Sequence, residues 1–264
     1  MKFGFIGFGE VSYNLSKILI DLGFEVLTCV EERSEKTKEL ANSLDISLFD
    51  SYEELSKASD ILISANSPQN SLGIAKKYAL LTEGIFLDLN NVSPDTTNQI
   101  SNLLSEDHFI DSVIIGKASS QKMNIYLSGK MANKLVKSLN DLNPEISQRI
   151  NIAVVSDRIG DASRLKNLRS IYTKGVSALL IETFEIGEKL DLSDALWEIL
   201  SLTENGDFEE SSKSRIKNSY KSSKRKYEEL AELLDFLNTV DVDDDSKIMT
   251  AATKNKFKSL ENKK

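Results

Sequence analysis

The sequence predicts an α/β fold, a doubly wound and mostly parallel sheet followed by an all-α C-terminal domain. Three observations carry this. Residues Phe3–Val11 read Phe-Gly-Phe-Ile-Gly-Phe-Gly-Glu-Val, a short apolar strand running straight into Gly7 and Gly9. A helical pattern follows at once, with Val11, Leu15, Ile18, Leu19 and Leu22 spaced at three and four. Up to Val155 short apolar runs alternate with amphipathic segments, the pattern of βαβ units; beyond Val155 almost no strand signal remains.

Taken in order, Glu25–Val30 forms the second expected strand and Glu35–Leu44 a helix. Asp60–Ser64 and Ile85–Asp88 are further strands, separated by a helical Leu72–Leu81. Phe109–Ile115 and Asn124–Leu127 extend the sheet, Ala132–Leu139 is helical, and Ile152–Val155 is the last strand. Ser163–Leu190 reads as one long helix, because Leu165, Leu168, Tyr172, Val176, Leu179 and Leu180 recur at helical spacing. More helices follow through Leu237, then an acidic turn at Asp241–Asp245 and a Lys-rich tail. The expected domains are residues 1–157 and 158–264, with ligands beyond the carboxyl ends of the strands and the active site between the halves.

The glycine loop carries chemistry. Gly7 permits the tight turn after a parallel strand, and Gly9 lets the backbone approach a pyrophosphate met by the N–H groups and dipole of the following helix. Ser12 stands where the third glycine of the fingerprint is usual. The strand before, the helix after and an acidic cluster about 20 residues on supply the confirming context for a Rossmann-type domain. Gly7, Phe8, Gly9, Glu10 and Val11 are therefore candidate cofactor-binding residues. The second strand ends in Val30-Glu31-Glu32-Arg33-Ser34. Glu31 suits a ribose 2′-OH and NAD, whereas Arg33 and Ser34 suit a 2′-phosphate and NADP. The residue chemistry favours NADP, with NAD as the alternative. Asn66 and Ser67 follow the third strand and Asn90 and Asn91 the fourth, where nucleotide and substrate contacts collect. Turn chemistry, with Ser93 capping a helix and Pro94 at its first position, explains the same stretches equally well.

Composition excludes other classes. A net charge of −8 argues against nucleic acid as a general partner. The single cysteine, Cys29, forms no internal disulfide, and no Cys/His cluster suggests a metal. No run of about 18 apolar residues exists to span a membrane. A cytoplasmic protein acting on a small molecule is the expectation.

On the long helix, Lys166, Arg169, Ser170, Thr173 and Ser177 share one face. A lysine facing a half-closed cleft loses pKa through desolvation and cationic neighbours, which suits it to general-base work; a lysine on a long helix is otherwise simply solvated.

Together, Gly7-Phe8-Gly9, Asp88 through Pro94, Asp111 through Gly116 and Gly160 through Ser170 resemble the β-hydroxyacid dehydrogenase family, which includes 6-phosphogluconate and 3-hydroxyisobutyrate dehydrogenases. Tyr172-Thr173-Lys174-Gly175 and Arg225-Lys226-Tyr227-Glu228 are most similar to a subfamily with a phosphogluconate-dehydrogenase-like C-terminal domain. The resemblance implies hydride exchange with a nicotinamide cofactor. Lys166 matches the catalytic lysine, Asn91 the nicotinamide- and substrate-side position, and Ser170 the family asparagine four residues after the lysine. The family segment D-x-P-V-S-G-G is here Asp111-Ser112-Val113-Ile114-Ile115-Gly116-Lys117, so Ile115 replaces the serine expected to hold a substrate carboxylate. Lys117 and Arg169 offer positive charge for an anionic substrate.

Two rival enzyme classes fit poorly. His108, the only histidine, lies in a polar turn too early for a lactate-type base, and three Tyr-x-x-x-Lys matches lack the loop that short-chain dehydrogenases need. The alternative from another class is a catalytically inactive NADP-binding sensor or partner protein. Leu196, Trp197, Leu200, Leu230, Leu233 and Leu237 exceed what one small bundle would bury, which predicts a homodimer through the helical half.

Overall fold

The computed structural model describes residues 1–189, 191–203, 207–239 and 244–261. Leu190 and residues 241–243, where the sequence places the end of the long helix and most of the acidic turn, lie outside the described residues, as do the last three lysine- and asparagine-rich positions. The chain divides into two compact units, Met1–Lys166 and Asn167–Lys264.

The first unit is built on one eight-stranded sheet. Its strands are β1 (Lys2–Ile6), β2 (Glu25–Cys29), β3 (Ser47–Phe49), β4 (Ile61–Ser64), β5 (Ile85–Asp88), β6 (Phe109–Ile114), β7 (Met123–Ser128) and β8 (Ile150–Ser156). They lie in the order β3-β2-β1-β4-β5-β6-β7-β8. All neighbours pair in parallel except β6 with β7, which are antiparallel. The first six reproduce the dinucleotide-binding order, with the chain reversing direction across the sheet between β1 and β4. Helices α1 (Glu10–Asp21), α2 (Glu35–Asn42), α3 (Tyr52–Ala58), α4 (Pro68–Tyr78), α5 (Pro94–Leu103), α6 (Ala132–Leu142) and the short α7 (Ile146–Arg149) connect the strands.

Burial on both faces explains the unbroken apolar runs of the central strands. On one face Phe3, Phe5, Ile63, Leu87 and Ile110 pack with Leu15 and Leu19 of α1 and Leu135 and Leu139 of α6. On the other, Ile6, Leu27, Leu62, Phe86 and Phe109 pack with Leu55 of α3, Ala75 of α4 and Ile100 of α5. The alternation of residues 86/87 and 109/110 between these two layers is the period of two expected of strands.

The long helix α8 runs Asp161–Lys189, and the division between units falls inside it rather than in the segment before it. The second unit adds α9 (Ser193–Thr203), α10 (Phe208–Lys221), α11 (Ser223–Asn238) and α12 (Ile248–Glu261). Its core joins Ala178 and Ile181 of α8, Leu230, Leu233 and Leu237 of α11, and Phe257 and Leu260 of α12.

Three expectations need correction. The sequence reading passed over β3 and α3: three strand residues and a seven-residue helix carry too few apolar positions to show a period. The Lys-rich tail is largely helix α12, because Thr250, Thr253, Phe257 and Leu260 line one buried face while lysines occupy the other. Leu230, Leu233 and Leu237, counted as surplus apolar surface, fill the second unit's own core.

Candidate functional site

The glycine loop follows β1 at the switch point. Gly7 has φ +92°, and a Cβ there would meet the Ala65 carbonyl oxygen at 2.4 Å, so both backbone conformation and space demand glycine. Gly9 differs: it caps α1 with φ −96°, and a Cβ would meet nothing within 4 Å. The space above Gly9 is open. Ser12, in place of the third glycine, is fully buried and donates its hydroxyl to the Gly7 carbonyl at 2.7 Å, tying the loop to the helix behind it. The Phe8 side chain is buried, with its ring edge-on to Phe5 at 6.1 Å, so only its backbone is available to a ligand.

Helix starts in this unit divide into two groups. Ser34, Ser51 and Ser93 cap α2, α3 and α5 through their side chains. At α1, α4, α6 and α7 no side-chain cap is made; of these, α1 and α4 leave the switch point. At α1 the first-turn N–H groups are left for another acceptor, whereas at α4 Pro68 has none and the Asn70 N–H meets the Ser67 carbonyl at 3.0 Å. Ser34 is committed to its cap, taking the Thr37 N–H at 3.4 Å.

The strand ends beyond are locked by hydrogen bonds. Asp88, at the end of β5, accepts from the Ser71 hydroxyl, from the Asn90 N–H at 3.0 Å and from Asn90 Nδ2 at 2.9 Å. Asn90 Nδ2 also reaches Ser64 Oγ at 2.8 Å, and its Oδ1 accepts the Asn66 N–H. Asn66 Nδ2 then donates to the Ile6 carbonyl at 2.6 Å, one residue before Gly7. Asn66 and Asn90 thus tie the strand ends beside the glycine loop to one another. Burial pushes the Asp88 carboxyl up to about 6, against the lowering effect of the bonds from Ser71 and Asn90.

Asn91 is the contrast. It holds φ +53°, a conformation for which asparagine is among the few suitable side chains, and its buried Oδ1 has no hydrogen-bond partner. A buried amide oxygen without a protein donor is rare in native proteins, its donor then being a bound water or a ligand.

Asp111, the register partner of Asp88 on β6, accepts from Ser163 Oγ at 2.6 Å, Ser163 N at 3.0 Å and Ser128 Oγ at 2.9 Å. The Ala162 N–H meets Ser128 Oγ at 3.0 Å. The first turn of α8 is therefore fastened to the sheet by a buried carboxylate placed against the helix N-terminus, where negative charge is favoured. Burial raises the Asp111 pKa, while the Ser163 and Ser128 bonds oppose the rise. Lys166, half-buried, stands one turn beyond this anchor, with Ser170 one further turn along the same helix. Thr173 and Ser177 turn their hydroxyls back to helix carbonyls, while Leu168, Tyr172 and Leu179 are exposed. Lys226, in the second unit, has its pKa lowered to about 8, first by burial and then by neighbouring Lys174. Its ammonium bonds Ser219 Oγ at 2.7 Å and lies over the Phe257 ring.

At the end of β2, Arg33 donates its Nε–H to the Tyr52 hydroxyl at 2.7 Å, a partner the sequence reading did not identify. Glu31 and Glu32 are exposed, and among the described residues neither forms an ion pair with Arg33. Ile115, half-buried, follows β6, and its N–H joins the Asn124 carbonyl at 3.0 Å. His108 is exposed, its Nδ1 on the Gly84 carbonyl. No group of metal-binding side chains occurs among the described residues, and no described helix is long and apolar enough to cross a membrane.

The sheet order and the open glycine loop are those of a dinucleotide-binding domain. Over residues 2–92 the chain matches the family described as "NADP oxidoreductase coenzyme F420-dependent". It is 44% identical over 261 residues to an "uncharacterized 28.5 kDa protein in 7S RNA 5'region" of Methanothermus fervidus, covering 99% of each. A solved structure described as a conserved protein of unknown function with structural similarity to 3-hydroxyacid dehydrogenases is 37% identical, with TM-score 0.81 over 99% of this chain and 97% of that one. The 3-hydroxyisobutyrate dehydrogenase of Mycobacterium tuberculosis shares the fold, with TM-score 0.79 at 14% identity over 98% and 93% of the two chains. The chain forms one family with the Methanothermus fervidus protein and with that solved protein of structural similarity to 3-hydroxyacid dehydrogenases, and it shares the fold of the 3-hydroxyisobutyrate dehydrogenases.

The two glycines separate stability from binding. Gly7→Ala should lower unfolding free energy in urea by about 1–3 kcal/mol or more, from backbone strain and the carbonyl clash. Gly9→Ala should change it by less than about 1 kcal/mol yet weaken dinucleotide binding, measured by nucleotide fluorescence.

The raised Asp88 pKa also fixes a sign. The folded state holds this proton more tightly than the unfolded chain, so stability is greatest below the ordinary value near 3.8 and falls as pH rises towards 6. Relative to Asp88→Asn, the wild type should lose about 3 kcal/mol across that window and stay level above it, in denaturant titrations at stepped pH.

Proposed function

We propose that this protein is an NADP-dependent oxidoreductase exchanging a hydride between the nicotinamide and an alcohol or carbonyl carbon of a small, anionic substrate, with Lys166 as general acid/base. The carrying observation is the strand-end cradle: open space above Gly9, two helix starts without side-chain caps, and the partnerless Asn91 Oδ1 beyond them. Gly7, Gly9, Glu10 and Val11 would hold the pyrophosphate through backbone N–H groups, and Arg33 the 2′-phosphate. When bound, the nicotinamide takes up or supplies the hydride. In the oxidative direction the Lys166 amine receives the hydroxyl proton as the carbinol carbon loses its hydride, leaving a carbonyl and an ammonium. In the reductive direction the ammonium returns that proton. Asn91 and Ser170 orient the substrate or the nicotinamide amide by hydrogen bonds.

Ile115, where the family has a carboxylate-binding serine, favours a second reading: an NADP-binding protein without turnover. Following NADPH fluorescence with a panel of hydroxy acids, aldehydes and imines distinguishes them. Turnover that falls about 10²- to 10⁴-fold in Lys166→Met, with NADPH affinity retained, supports the enzyme. Binding without any turnover across the panel supports the second reading. Arg33→Ala should weaken NADP by about 1.5–3 kcal/mol and leave NAD almost unchanged. Tighter NAD than NADP binding by the wild type would assign the preference to Glu31 or Glu32.

We also propose a homodimer through the helical unit. Helix α9 has no fully buried residue, and Ile199 and Leu202 on it are 60% and 83% exposed. Leu168, Tyr172 and Leu179 form a second exposed apolar row on α8. Sedimentation at micromolar concentration should show a dimer; a monomer there would refute it.

A further inference from the structure

We propose that Tyr52 is a specificity-determining partner of Arg33: it holds the guanidinium by Nε and leaves both Nη groups as a preformed fork for the adenosine 2′-phosphate. This rests on the NADP reading and adds the residue that makes Arg33 selective. The Tyr52 hydroxyl oxygen accepts the Arg33 Nε–H at 2.7 Å, and the guanidinium carbon lies 5.4 Å from the ring centroid. Among the described residues the Nη groups have neither a hydrogen bond nor an ion pair. A guanidinium has five N–H donors in one plane, so with Nε occupied the Nη1–Nη2 edge still presents two parallel N–H groups, the geometry that matches two phosphate oxygens.

A tyrosine suits this better than a carboxylate. A carboxylate would take the same N–H but neutralise the charge that the phosphate needs. Burial raises the Tyr52 pKa above its ordinary value, against the lowering effect of Arg33, so the phenol stays neutral. Tyr78 packs its ring 5.5 Å from the Tyr52 ring on the side of α4, and burial raises its pKa too. The nearby acids stand apart: Glu32, at φ +54°, turns the chain, and Glu31 and Glu32 are exposed without an ion pair to Arg33. Tyr52 itself is placed by α3, whose start is capped by Ser51 accepting the Glu54 N–H at 3.2 Å. A flexible arginine is thereby ordered before the ligand arrives, which lowers the entropy lost on binding.

Fluorescence titration of NADPH and NADH against wild type, Tyr52→Phe, Arg33→Ala and the double variant tests this. Tyr52→Phe keeps the ring and removes only the acceptor. It should weaken NADPH about tenfold and NADH by less than about twofold. In the Arg33→Ala background the second substitution should change NADPH affinity by less than about twofold, since the two residues act as one unit. Equal losses for both cofactors, an unchanged NADPH affinity in Tyr52→Phe, or additive losses in the double variant would each overturn the proposal while the NADP reading stands. A wild type that binds NADH as tightly as NADPH would overturn both, and shows this before any variant is made.

Discussion

A single buried carboxylate holds together the ends of three strands. Asp88 closes β5, Asn90 carries its hydrogen bonds across to Ser64 and Asn66 at the end of β4, and Asn66 reaches Ile6 at the end of β1. A desolvated carboxylate is expensive, and three donors from Ser71 and Asn90 offset much of that penalty. Apolar packing alone is non-directional and would leave the loop angles free. Directional bonds to a buried acceptor set them, which is why a polar network stands where three loops must present backbone groups at fixed positions.

The neighbouring strand repeats the device for a helix. Asp111 gathers Ser128 and Ser163, and with them the first turn of α8. Two carboxylates thus lie side by side on β5 and β6, one ordering the strand ends beside the glycine loop and the other the helix that bears Lys166. Polar residues that look like ligand contacts in a linear reading are divided by this architecture. Asn66 and Asn90 spend their amides on the scaffold, and Asn91, one residue on, has its oxygen without a protein donor.

Local periodicity made much of this legible. The strand–glycine–helix run at Phe3–Val11, the parallel strands to Asp88 and the long α8 each follow from spacing within a few residues. The resemblance singled out Lys166 and Asn91 as candidates, and Ser93 and Pro94 start α5 as their residue types suggest. Partnerships distant in sequence were not legible. Ser163 is 52 residues from Asp111, and Arg33 is 19 from Tyr52, separations at which no pattern links a donor to its acceptor. Helix α12 escaped notice for a different reason: two of its buried positions are threonines, whose hydroxyls are satisfied along the helix or hidden in packing, so hydropathy alone reads them as surface.

The anchor between Asp111 and Ser163 also sets where the chain can be divided or recombined. Topology invites a cut after β8, where the sheet is complete. A sheet ended there would keep Asp111 and Ser128 in its interior while discarding Ser163 and Ala162, leaving a buried charge short of two of its three donors. The inheritable module is therefore the sheet plus the opening turns of α8. Exchange of helical halves between relatives, in evolution or in the laboratory, preserves the nucleotide domain only when the crossover lies beyond Ser163.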